Sequence, residues 1–150
     1  MLDNISDEWS LLLDLYSGTG ALGIEALSRG AEWVDFVEQN ARCCAIIREN
    51  LHKTGFQDRA HVYHSSVARA LSWLDKKYDV VLMDPPYADL SVGDTLTALV
   101  SSSLVSDSST VVIHHCSRQK LPTEVNNFQR VRDRHYGGSY ISIYRKGELS

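Results

Sequence analysis

Cysteine is scarce in this 150-residue chain: three residues, two of them the adjacent Cys43 and Cys44. That suits neither a disulfide framework nor a zinc site. No apolar run reaches membrane-spanning length and no signal peptide is visible, so a cytoplasmic protein without a membrane partner is expected. Internal repeats, low-complexity tracts and linkers are also missing, which points to one domain over residues 1–150. The serines at 101–103 and 106–109 read as loops within it. Positive charge is short too. The net charge of −4 argues at first sight against a nucleic-acid partner, whose phosphates are bound mainly by Lys and Arg. The deficit is uneven, however. From His114 onward seven basic residues (Arg118, Lys120, Arg130, Arg132, Arg134, Arg145, Lys146) stand against Glu124, Asp133 and Glu148, a net of +4, so the first 113 residues carry −8.

The six histidines hold one cluster, His114-His115-Cys116. Neighbours on a strand point to opposite faces and cannot share an ion without distortion, so the cluster is read as structural and no metal is expected. Ser17 has no evident His and Asp partners, which disfavours nucleophilic hydrolysis. Trp9 and Trp73 are read as packing residues.

The apolar run Tyr78 to Met83 ends in Asp84-Pro85-Pro86-Tyr87. This sets one carboxylate, two rigid prolines and an aromatic ring at the end of a buried strand. Such a group suits an amine attached to a planar ring. Its lone pair is delocalised, and hydrogen bonds from its two N–H groups to a carboxylate and a backbone carbonyl can aim it at an electrophile. Proline restricts φ and fixes the loop carbonyls, while Tyr87 offers a face for an extruded base. Taken alone, a Pro-Pro pair after a strand is often only a turn.

The context lies at the other end of the chain. Leu11 to Ser17 reads as a buried strand running into Gly18-Thr19-Gly20-Ala21-Leu22-Gly23 and a helical stretch from Ile24 to Arg29, a nucleotide-binding crossover. The glycines permit positive φ and close approach by a ligand, and the helix start presents free N–H groups. Fifteen residues past Gly23, Glu38 ends a second strand, Trp33 to Val37, where an acid accepts bonds from both hydroxyls of a ribose. The same pattern satisfies the dinucleotide fingerprint, so an NAD-dependent oxidoreductase is a competing reading. Asp14, four residues before the first glycine, and the Asp84 loop weigh against it. Asp14 fits a ligand carrying an ammonium and a second cation, as S-adenosylmethionine does.

The Asp-x-x-x-Gly-x-Gly loop, the acid after strand two and Asp-Pro-Pro-Tyr after strand four resemble the class I S-adenosylmethionine-dependent amino-methyltransferases. The block Leu15 to Ala31 is similar, more narrowly, to the RsmD family, which methylates the N2 amine of a guanine in bacterial 16S ribosomal RNA. The resemblance implies that S-adenosylmethionine lies against Asp14, Tyr16, Ser17, Gly18, Thr19, Gly20, Glu38, Gln39, Ser66, Val67 and Asp84. It implies further that Asp84, Pro85, Pro86 and Tyr87 form the acceptor site, and that the partner is 16S ribosomal RNA, within an assembling small subunit or free. Adenine N6 or cytosine N4 would suit the tetrapeptide alone, and a non-catalytic cofactor-binding domain is the third class of reading. The chain departs from the family pattern in two places. Ser65-Ser66-Val67 stands where relatives often carry Asp or Asn, and only Met1 to Ile5 stands where a basic N-terminal segment is usual, from which weak RNA binding is expected.

The remaining pattern alternates strands and helices. Helices are expected over 40–53, around Val67, Ala70, Leu71 and Leu74, and over 95–100. Cys44, Ile47 and Leu51 share a buried face of the first. Strands are expected at 61–64 and 110–114, and Val131 to Tyr136 pairs with Ser139 to Tyr144 around Gly137-Gly138. At this length roughly 68–70% of the unfolded surface can be buried. The expected fold is α/β and Rossmann-like, as the resemblance implies: a seven-stranded, mostly parallel sheet with a C-terminal antiparallel hairpin and helices on both faces.

Overall fold

The computed structural model describes residues 10–116 and 119–147, with the backbone alone at residue 136. Trp9, the Met1 to Ile5 segment, Arg118 and Glu148 therefore lie outside the described residues.

Short apolar runs bounded by turns make the strands β1 (Leu11–Leu15), β2 (Trp33–Glu38), β3 (Ala60–His64), β4 (Tyr78–Met83) and β5 (Val105–Cys116). The helices α1 (Ala21–Ser28), α2 (Ala41–Thr54), α3 (Val67–Trp73) and α4 (Val92–Val100) cross over between them. Three more strands, β6 (Glu124–Val125), β7 (Phe128–Tyr136) and β8 (Ser139–Lys146), follow among the described residues. One sheet results, ordered β3-β2-β1-β4-β5-β8-β7-β6, parallel from β3 to β5 and antiparallel beyond. It has eight strands and not the expected seven, because Glu124 and Val125 pair with Gln129 and Phe128 as a short edge strand.

Strand alternation sorts the core into two layers. Leu13, Leu15, Val81, Met83, Val111 and Ile113 pack under α3 and α4. Leu12, Val34, Phe36, Leu82 and Val112 pack under Ala26 and Leu27 of α1 and Cys44, Ile47 and Leu51 of α2. The expected face of α2 is thus the buried one. Asn40 starts this helix by accepting a bond from the Cys43 amide, and Gly55 in the left-handed conformation ends it.

Two stretches depart from the sequence reading. Ser106 to Ser109 lie within β5 and not in a loop: between Tyr78↔Val105 and Val80↔Thr110 the register shifts, and the Ser109 hydroxyl donates to the Tyr78 carbonyl (2.6 Å). The hydroxyls satisfy backbone groups that the irregular ladder leaves open. In β7 the register shifts between Arg130 and Arg132, so Val131 is an exposed bulge residue that breaks the expected alternation. Trp73 also departs from expectation, being 46% exposed with its ring 5.0 Å from that of Tyr63.

Candidate active site

Parallel strands in one register bring the ends of β1, β2 and β4 to one edge of the sheet, where ligands of open α/β sheets bind. The chain leaves β1 through Tyr16 and Gly18, both at φ 59°, and enters α1 through Gly20 at φ 84°. A Cβ at Gly18 would meet nothing within 4 Å, so the backbone there is open to a ligand. Gly23 serves a different purpose. A Cβ there would lie 2.3 Å from Phe36 Cε1 and 3.0 Å from Asp14 Oδ2, so this glycine lets α1 pack onto β1 and β2.

Glu38 ties the loop together. Its Oε1 accepts from the Gly18 amide and its Oε2 from the Asn40 amide, both at 2.8 Å. Each carboxylate oxygen retains a second lone pair for a ligand hydroxyl. Ser17 donates from its hydroxyl to the Asp14 carbonyl (2.6 Å), and Asn50 donates to the Thr19 carbonyl (3.3 Å). These bonds hold the loop before any ligand arrives.

A cavity of about 350 Å³ opens beside this loop, within the range of small-molecule sites. Of the expected cofactor residues it is lined by Tyr16, Gly18, Glu38, Gln39, Ser66 and Val67. Pro86 lines it too, so the Asp84 loop forms one of its walls. Ser66 caps α3, its hydroxyl accepting from the Arg69 amide at 3.3 Å. A second cavity, of about 430 Å³, shares Gln39, Ser65 and Ser66 and extends to Arg69 and Trp73.

Ser17, Thr19, Gly20, Asp14 and Asp84 are not among the lining residues. Asp14 lies behind the glycine loop, 2% exposed, and its Oδ2 has no hydrogen-bond partner among the described residues. Burial pushes its carboxyl up to about 8; the Gly23 amide opposes this, and the charges of Asp84 and Glu38 add to it.

Asp84 and Tyr87 are exposed at the rim, whereas Pro85 is buried. Asp84 Oδ1 lies 2.8 Å from His114 Nδ1, and the Tyr87 ring meets the His114 ring edge-on at 6.0 Å. The Tyr87 hydroxyl is hydrogen-bonded to the Ser139 hydroxyl. His115 points to the other face of β5, with Nε2 2.8 Å from Ser142 Oγ. The two histidines therefore diverge as strand geometry requires, and His114 reaches the Asp84 loop. Reading the sequence missed His114 and Ser139 as neighbours of this loop, because only the pairing of β5 with β4 and of β8 with β5 brings them there.

A parallel sheet closed by an antiparallel hairpin, with a glycine loop, an acid after β2 and an Asp-Pro-Pro-Tyr loop after β4, defines a class I methyltransferase fold. The family described as "Conserved hypothetical protein 95" matches residues 4–145, and the chain belongs to this family, the RsmD family. It is 31% identical over 137 residues to "Putative rRNA methyltransferase YlbH" of Bacillus subtilis, covering 89% of this chain and 74% of that protein. It is 26% identical over 134 residues to "Ribosomal RNA small subunit methyltransferase D" of Escherichia coli, covering 89% of this chain and 67% of the relative. A solved structure of a conserved hypothetical protein from Streptococcus pyogenes superposes with a TM-score of 0.90 at 31% identity, covering 97% of this chain and 92% of the other. Among the described residues no helix is long and apolar enough to cross a membrane.

Proposed function

We propose that this protein transfers a methyl group from S-adenosylmethionine to the exocyclic N2 amine of a guanine in 16S ribosomal RNA. One observation carries the reading: the Asp84 loop, through Pro86, is a wall of the same cavity that Glu38, Gly18 and Ser66 line. A donor held in that cavity lies next to an exposed carboxylate and an exposed aromatic ring suited to an amino-substituted base. The RNA class comes from the names of the relatives, and the basic excess after residue 113 is compatible with it.

The residues fit the cofactor. Glu38 would hold the ribose hydroxyls, Ser66 and Val67 would lie at the adenine end, and the buried Asp14 carboxyl, whose Oδ2 has no partner among the described residues, would give up its proton and become charged beside a cationic ligand. S-adenosylmethionine supplies an electrophilic methyl group on a sulfonium. Asp84 and the Pro85 carbonyl accept the two amine hydrogens and so aim the nitrogen lone pair. Tyr87 stacks on the flipped guanine and excludes water from one of its faces. The proton leaves the amine toward Asp84 or solvent.

The test is methyl transfer to small ribosomal particles from a strain lacking this modification, with the product nucleoside identified by mass spectrometry. N2-methylguanosine is expected. A methylated adenosine or cytidine would move the acceptor to another amine, and calorimetry showing binding of NAD but not S-adenosylmethionine would overturn the reading.

A further inference from the structure

We infer that His114 is a positioning residue of the acceptor site, holding the Asp84 carboxylate in the orientation that presents its second oxygen to the acceptor amine. The inference rests on the proposed amine methylation and names a residue that the motif itself does not contain.

The carboxylate of Asp84 is at a strand end, and its side chain is 43% exposed. In that setting it is free to turn unless something holds it. Among the described residues, the hydrogen bond that holds it is the one from His114, at 2.8 Å. An ionised carboxylate only accepts, so the proton of this bond sits on the imidazole Nδ1. One lone pair of Oδ1 is then committed and Oδ2 is left for the substrate. The imidazole is held in turn. Its strand position pairs with Ile141 of β8, and its ring lies against the edge-on Tyr87 ring. Tyr87 is itself tied to β8 through the Ser139 hydroxyl, and the Cys116 thiol donates to its carbonyl at 3.8 Å.

The arrangement also suits the local charge. Asp14, Glu38 and Asp84 are near enough to one another for the latter two to raise the Asp14 carboxyl. The His114 N–H places partial positive charge against the Asp84 carboxylate. A hydrogen-bonded second group that fixes the rotamer of a reacting group is how a site keeps its geometry on an exposed loop.

Steady-state kinetics on His114→Ala, His114→Asn and wild type, with calorimetry of S-adenosylmethionine binding and nitrogen NMR of the free protein, tests this. An asparagine amide occupies the place of Nδ1 and donates the same bond. His114→Ala is expected to lower kcat about 10- to 100-fold, the scale of a misplaced reacting group. KM and cofactor affinity should change little, and His114→Asn should recover most of the loss. In the NMR spectrum His114 should carry its proton on Nδ1, and Asp84→Asn should shift that resonance. Full kcat in His114→Ala, or equal loss in the Ala and Asn variants, overturns the inference while leaving methylation standing. If wild type transfers no methyl group, the proposed function fails, and the NMR arm still decides the pair: an Nε2 proton indifferent to Asp84→Asn refutes it.

Discussion

The two sides of the crevice are built by different means. On the side proposed to hold the donor, contacts are short in sequence or run through the backbone: Glu38 grips the Gly18 and Asn40 amides, and Ser17 grips the Asp14 carbonyl. On the side proposed for the acceptor, Asp84 and Tyr87 are exposed and are braced by side chains 30 and 52 residues away, His114 and Ser139. A loop held through backbone amides and carbonyls keeps its shape whatever side chains stand at the rim. A rim braced from another strand depends on the whole sheet being in register. The donor side should therefore tolerate changes at the rim, and the rim should be sensitive to changes that leave the donor side intact.

The largest expected effect is at the rim. Asp84→Ala should abolish most turnover in a radiolabelled methyl-transfer assay, because the amine loses the acceptor that orients it. Retained turnover would remove Asp84 from the chemistry.

Next comes the buried acid of the donor side. Because burial raises the Asp14 carboxyl to about 8, the folded chain keeps a proton that the unfolded chain releases in the ordinary aspartate range. Stability is then fully supported at low pH and falls as pH rises toward 8, with a slope of about 1.4 kcal/mol per pH unit. Asp14→Asn should flatten that slope, so urea midpoints of the two chains should be close near pH 4 and separate by pH 8. Parallel curves would place the carboxyl in a more solvated environment.

Gly23→Ala should cost about 1–3 kcal/mol of stability by overpacking, since the new methyl meets the buried Phe36 ring. Thermal unfolding checks this, and an unchanged midpoint would mean α1 shifts freely on β2. Smaller still, Tyr87→Ala should lose about 1–3 kcal/mol of base stacking in RNA binding, while Tyr87→Phe should lose less. Equal losses would make the bond to Ser139, and not the ring, the working feature.

The same contrast explains what was legible in the sequence. The glycine loop, Glu38 and the Asp84 tetrapeptide are contiguous patterns whose chemistry follows from residue type, and the parallel half of the sheet follows from apolar runs of strand length. His114 was hidden because its role depends on which residue of β5 stands beside Asp84, and register is a tertiary property. The Ser106 to Ser109 stretch misled for the opposite reason: serines favour loops by composition, yet here their hydroxyls repair an irregular strand. The two-residue β6 is too short to carry any periodicity.

The most direct test of this division is calorimetry of S-adenosylmethionine binding to Glu38→Ala and Asp84→Ala side by side. Glu38→Ala should bind more weakly by about 1.5–3 kcal/mol for each lost hydroxyl bond to a charged acceptor, while Asp84→Ala should bind as wild type does. Unchanged affinity in Glu38→Ala, or a loss in Asp84→Ala as large as that expected for Glu38, would contradict the separation of donor and acceptor sides.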